Sequence, residues 1–126
     1  MQMLFQADMG KQTPEEVRST FWYAAGEVKP EVRGFAEDLF RAAIDRQEKI
    51  DELLANHSRH WRLDRMPSVD RNLLRVAVAE MIAFKSTPFP IVINEALEIA
   101  RRYSAPESIN FLNGVLDSIA HALLPQ

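Results

Sequence analysis

From Leu73 to Phe84 the chain reads Leu-Leu-Arg-Val-Ala-Val-Ala-Glu-Met-Ile-Ala-Phe, which as a helix is apolar on almost every side. A helix without a polar face has to be surrounded by other elements, so this segment predicts the centre of a helical bundle. Ser68 suits its N-cap, and Asp70 in the first turn complements the helix dipole. Pro88-Phe89-Pro90 stops the helix and starts the next one.

The rest of the sequence supplies helices to surround it. Thr13-Pro14-Glu15-Glu16 offers a capping hydroxyl, a proline at the first helical position and a glutamate that can reach back to the cap. Val17, Phe21 and Ala24 follow at helical spacing, and Gly26 ends that helix. From Pro30, the residues Val32, Phe35, Ala36, Leu39, Phe40, Ala43, Ile44, Ile50, Leu53 and Leu54 recur at three- and four-residue steps, the mark of a buried helical face. The polar turn from Asp45 to Lys49 interrupts the pattern, so the helix bends there or projects for a turn.

Residues 57–67 have no periodicity and read as a loop anchored by Trp61, Leu63 and Met66. After Pro90 the apolar face is Val92, Ile93, Ala96, Leu97, Ile99, Ala100 and Tyr103, with Glu98 and Arg102 one turn apart on the wet side. A last helix turns Ile109, Leu112, Val115, Leu116, Ile119 and Leu123 inward. Strand alternation is nearly absent. The fold class expected is all-α, a single compact bundle of about six to seven helices spanning residues 1–126.

Composition removes several kinds of chemistry. With no cysteine, a disulfide framework, a zinc-thiolate site and a cysteine nucleophile are all excluded. No apolar run approaches the ~18 residues that cross a bilayer, and the start carries no basic region of a signal peptide; a cytoplasmic protein is expected. The net charge of −3 counts at first against a nucleic-acid partner. It is unevenly spread: residues 1–56 hold 7 Lys/Arg and 11 Asp/Glu, or −4, and residues 57–126 hold 8 and 7, or +1.

No catalytic constellation is legible. His57 and His60 are three apart, yet no further ligand sits at a recognisable spacing, so they read as solvated loop histidines and no metal or cofactor is expected. Glu15/Glu16 and Glu37/Asp38 read as solvated helix faces, and no serine has an identifiable base. The chain reads as a binding protein and not as an enzyme.

The second half carries specific motifs. These are Trp61-Arg62-Leu63-Asp64-Arg65-Met66-Pro67-Ser68-Val69-Asp70-Arg71, Leu74-Arg75-Val76-Ala77-Val78-Ala79-Glu80-Met81, Pro90-Ile91-Val92-Ile93-Asn94-Glu95-Ala96, and Phe111-Leu112-Asn113-Gly114-Val115-Leu116-Asp117. In this order and spacing they resemble the NusB family of bacterial transcription antitermination factors, with Gln2-Met3-Leu4-Phe5 similar to the end of the family's first-helix motif. The resemblance covers most of the chain. A related domain also precedes an RNA cytosine methyltransferase, for which this chain is too short.

What the resemblance implies is an all-helical protein of two small packed subdomains, about 1–57 and about 68–126. It would bind boxA RNA of nascent ribosomal RNA transcripts with the ribosomal protein NusE. Other antitermination factors and RNA polymerase are the implied further partners, and the outcome is resistance to termination. The family's arginine-rich segment, just ahead of the motif matched by Gln2 to Phe5, has no counterpart here. The expectation is therefore that this chain alone binds RNA weakly and relies on its partner. The alternative is a non-catalytic protein-interaction module or a homodimer with impaired RNA binding.

A helical wheel at ~100° per residue groups Glu107, Asn110, Asn113, Gly114, Asp117 and His121 on one polar face of the last helix, with Phe111 at its rim. An aromatic ring beside amide side chains suits base stacking, because single-stranded RNA is read by stacking and by hydrogen bonds to base edges. Packing against a neighbouring helix would equally occupy Phe111. With the resemblance, the RNA-binding candidates are Phe5, Glu107, Asn110 and Phe111, and the partner-binding candidates are Asp70 and Arg71.

Arg59, Arg62, Arg65, Arg71 and Arg75 form the one basic concentration, read as a solvated or salt-bridged face from which some arginines reach RNA. Gly114 costs about 1 kcal/mol relative to alanine inside a helix, which predicts close approach of an adjacent helix. Glu80, Asn94 and Glu95 are expected in buried hydrogen bonds between the central helix and the next.

Overall fold

The computed structural model describes residue 13 and residues 30–58 and 65–124. Expectations for the first helix, for Phe5, for His60 and for Trp61 lie outside the described residues. Five helices make up the described part: α1 (Pro30–Asp45), α2 (Gln47–His57), α3 (Ser68–Ala83), α4 (Phe89–Tyr103) and α5 (Ser108–Leu123). No strand occurs among the described residues, and the all-α class stands. None of the described helices is long and apolar enough to cross a membrane.

The pattern that begins at Pro30 resolves into two helices. Arg46 interrupts it with φ −112° and ψ 17°, and the chain resumes helix at Gln47. The interruption is tight: the Arg46 N–H donates to Ala42 O, and the Arg46 carbonyl accepts from Ile50 N–H at 2.9 Å. Polar side chains from Asp45 to Lys49 are all exposed there, which is why the apolar stripe has nothing to hold it in one line.

α3 is the central helix. It packs against each of α1, α2, α4 and α5. Leu74, Val78, Ala79 and Met81 on it are essentially inaccessible, and Ile50, Leu54, Val92, Ala100, Leu112, Leu116 and Ile119 from its neighbours close the core around them. Pro67, not Ser68, is the residue before the helix; its extended backbone (φ −52°, ψ 139°) delivers Ser68 as the first helical residue. Pro88, at φ −59° and ψ 140°, does the same for α4.

Two large apolar residues expected on buried faces are exposed. Phe35 is 49% accessible, with its ring tilted against Phe84 at a centroid distance of 5.5 Å, just past the end of α3. Tyr103 is 63% accessible. It is the last residue of α4, which ends where Ser104 reaches Asp70 in the first turn of α3. On the wet side of α4, Glu98 pairs with Arg101 at 2.9 Å and not with Arg102.

Candidate nucleic-acid and partner-binding site

α5 presents the face that the wheel predicts. Leu112, Val115, Leu116 and Ile119 are buried, whereas Glu107, Asn110, Asn113, Gly114, Asp117 and His121 are exposed. Phe111 lies between the two sets, half-buried and packed against the core at the rim of the polar face.

The same face carries features the sequence does not announce. Ser118 lies two helical turns beyond Phe111, only ~20° away on the wheel, and its Oγ is 2.6 Å from His57 Nδ1 at the end of α2. His57 is thus tied to α5 and is not a solvated loop residue. Further along, His121 Nδ1 donates to the Asp117 carbonyl at 2.8 Å and lies 3.6 Å from its carboxylate. The wheel alone can pick out Ser118; nothing in the sequence links it to a histidine 61 residues away.

Gly114 departs from expectation. No described residue outside its own stretch of helix lies within 4 Å of where its Cβ would be, and the residue is exposed. The polar face is turned to solvent, so no adjacent described helix approaches it.

The partner-binding candidates sit at the start of α3. Asp70 is only 3% accessible, and its carboxylate accepts a hydrogen bond from Ser104 Oγ at 2.5 Å. Burial follows from the proximity of the α4 terminus. Arg71 is half-buried and donates from Nη1 to the Met66 carbonyl at 3.3 Å. The Asp70–Ser104 bond anchors the short turn from which Glu107 and α5 emerge, so the two candidate regions share one support.

Of the described basic residues, Arg75 is committed elsewhere. It donates from Nε and Nη2 to the two oxygens of Asp51, each at 2.9 Å, and from Nη1 to Asn72 Oδ1 at 3.3 Å. Asn72 itself is fully buried and donates from Nδ2 to the Ser68 carbonyl at 2.9 Å. Arg65 remains exposed.

Glu80 is buried as expected, whereas Asn94 and Glu95 are exposed. The buried stripe of α4 is Val92, Ile93, Ala96, Leu97 and Ala100, which turns positions 94 and 95 away from α3. Burial pushes the Glu80 carboxyl above its ordinary value, and the Glu95 charge adds to the effect. Among the described residues no group of three His, Asp or Glu side chains is arranged to hold a metal ion.

A central apolar helix in contact with the four other described helices, one of which presents amides, carboxylates and an anchored aromatic ring, defines an all-α domain. The family model for NusB matches residues 1–121. The chain belongs to the NusB family. It is 57% identical over 123 residues to the transcription antitermination protein NusB of Koribacter versatilis, covering 98% of this chain and 84% of that protein. The fold is similar to that of NusB from T. maritima, with a TM-score of 0.87, 31% identity and coverage of 98% and 87% of the two chains. It is also similar to a chain in a crystal structure of the antitermination factors NusB and NusE in complex with dsRNA, with a TM-score of 0.86, 28% identity and coverage of 95% and 89%.

Proposed function

We propose that the protein binds boxA RNA of nascent ribosomal RNA transcripts together with the ribosomal protein NusE, and so assists RNA polymerase in resisting termination. It acts in the cytoplasm as a non-catalytic binding factor. The observation that carries this reading is the α5 face of a NusB-family chain: Glu107 and Asn110 exposed beside the half-buried ring of Phe111. The ring stacks on an unpaired base, and the amide and carboxylate read its polar edge. Phe5 belongs to the same RNA-binding set by its place in the family's first-helix motif.

Arg71 faces NusE. Asp70, buried against Ser104, contributes to that surface by fixing the first turn of α3. Titration of a fluorescently labelled boxA oligonucleotide with the protein, with NusE and with both tests the reading. The expected result is tightest binding with both proteins and weaker binding of a scrambled RNA. Phe111→Ala is expected to lower the joint affinity about tenfold or more, with helix content unchanged, because one base–aromatic stack is lost. No preference for boxA in any combination would overturn it.

A further inference from the structure

Four helix ends converge at the far end of α3 from Asp70. α3 stops at Ala83 and α5 at Leu123, while α2 starts at Gln47 and α4 at Phe89. Between them lies a cavity of about 580 Å³, within the range of roughly 300–1,000 Å³ that holds a bound group. Met81, 1% accessible, is the most buried part of its lining, and Ile82, Phe89 and Leu123, half-buried against the core, enlarge the apolar surface. Leu124, 51% accessible, stands at the mouth. Met81 is three turns along α3 from Asp70, roughly 16 Å of helix, so the cavity is separate from the partner-binding candidates.

Charge around the cavity is one-sided. Lys49 and Lys85 line it, and no carboxylate does so among the described residues, in a chain with 18 Asp+Glu against 15 Lys+Arg. Both lysines are exposed, and neither makes an ion pair or a hydrogen bond among the described residues. Helix stability does not account for Lys49: it is the third residue of α2, where the positive end of the helix dipole disfavours a cation. It also borders the hollow at the Arg46 interruption, which Asp45, Glu48 and Asp51 line, and it pairs with none of them; Asp51 is held by Arg75.

We propose that this cavity docks an acidic peptide segment of a partner protein, one bulky apolar side chain entering it while flanking carboxylates pair with Lys49 and Lys85. Two unpaired ammonium groups beside an apolar hollow complement that combination. A nucleic acid backbone would use the lysines and leave the apolar lining idle. A second copy of this chain seated through the same face would bring four lysines together, because a two-fold interface sets each patch against itself. Asp45 and Glu48 beside Lys49 oppose further negative charge on their side, which confines the acidic flank to the mouth of the cavity. The inference adds a protein-docking site to the proposed RNA-binding reading and does not depend on it.

The probe is a synthetic peptide, acetyl-Glu-Asp-Leu-Phe-Asp-Glu-amide, titrated into the full chain by calorimetry beside the same peptide with Gln and Asn in place of its acids. The acidic peptide should bind saturably and the neutral one about tenfold more weakly, with salt weakening only the first. Lys49→Glu combined with Lys85→Glu should lower affinity for the acidic peptide at least about tenfold, and should bind a peptide with Lys in place of the acids, which the parent does not. Leu124→Asp, a carboxylate placed at the mouth, should also weaken the acidic peptide. Arg41→Glu, a charge reversal of the same size on an exposed residue outside the cavity, should leave it unchanged. Equal binding of acidic and neutral peptides, or no saturable binding at about 1 mM, would overturn the proposal. Displacement of the peptide by the boxA oligonucleotide without NusE would give the lysines to RNA. A dimer in sedimentation that the double variant abolishes would give the cavity to a second copy. A fall in thermal midpoint of the double variant with peptide affinity unchanged would give the lysines to the fold itself. Each of these three results would likewise overturn it.

Discussion

Arg75 grips Asp51 with two parallel hydrogen bonds, Nε to Oδ1 and Nη2 to Oδ2, both 2.9 Å long, and so fastens α3 to α2 across 24 positions of sequence. The guanidinium side chain is 12% accessible and the carboxylate 28%, so water screens the pair only partly. Asp51→Ala should lower the unfolding free energy by about 1–3 kcal/mol, since a charge-assisted fork is lost and a largely buried guanidinium loses its carboxylate. Arg75→Lys should recover little, because an ammonium cannot make the fork. A double-mutant cycle by denaturant titration checks the pair; a coupling energy near zero would show that the two residues act independently.

Glu80 sets a pH dependence of stability. Its carboxyl in the folded protein titrates above its ordinary value of 4.5, so the folded state holds this proton more tightly than the unfolded chain does. Stability from this group is therefore fully present below pH 4.5 and is lost as the pH rises through the raised value. Glu80→Gln, which stays neutral, should be more stable than the parent at neutral pH, with the advantage vanishing under acid. Glu95→Gln should act in the same direction and more weakly, because burial is the larger cause. Unfolding curves from about pH 4 to about pH 8 decide it; an advantage of Glu80→Gln that grows on acidification would contradict the assignment.

The Asp70–Ser104 bond separates contact from support. Ser104→Ala removes the donor from a carboxylate that is 3% accessible, and a cost of about 1–2 kcal/mol is expected. Asp70→Asn keeps the shape and loses the charge. If Asp70 acts by holding the first turn of α3, both substitutions weaken NusE binding in proportion to their effect on stability. A loss of NusE binding confined to Asp70→Asn, with Ser104→Ala binding normally, would make Asp70 a direct contact.

Much of this architecture is legible before any coordinates, because periodicity is a local property. The all-round apolar segment is the central helix, and the polar face of α5 appears residue for residue. The interruption after Asp45 is visible as a run of five polar residues, although only the backbone shows that a single residue, Arg46, breaks the helix. What local periodicity does not contain is where a helix stops having neighbours. Tyr103 lies on the correct stripe and is exposed at the very end of α4, one turn past its last buried residue, Ala100; Asn94 and Glu95 fit a buried reading until the stripe of Val92, Ile93, Ala96, Leu97 and Ala100 fixes the rotation of α4.

The site divides in the same way. Asn110 and Phe111 share one helix with Glu107 just ahead of its first residue, and the three can be grouped from their spacing. His57 with Ser118, Asp51 with Arg75 and Asp70 with Ser104 each join different helices, at separations of 61, 24 and 34 residues. No composition or spacing rule relates such pairs. Gly114 stands out in the sequence for its cost, yet no described helix stands where the cost predicts one. A helix propensity reports that a residue is unfavourable without saying on which side its reason lies.

Because α3 meets each of the other described helices, none of them can be peeled away without baring part of its surface. An amide proton in the middle of α3 can then reach water only when all its neighbours come apart together. That makes the segment from Leu73 to Met81 the slowest clock in the molecule, one that runs at the rate of whole-domain opening while the ends of α4 and α5 exchange on their own schedule.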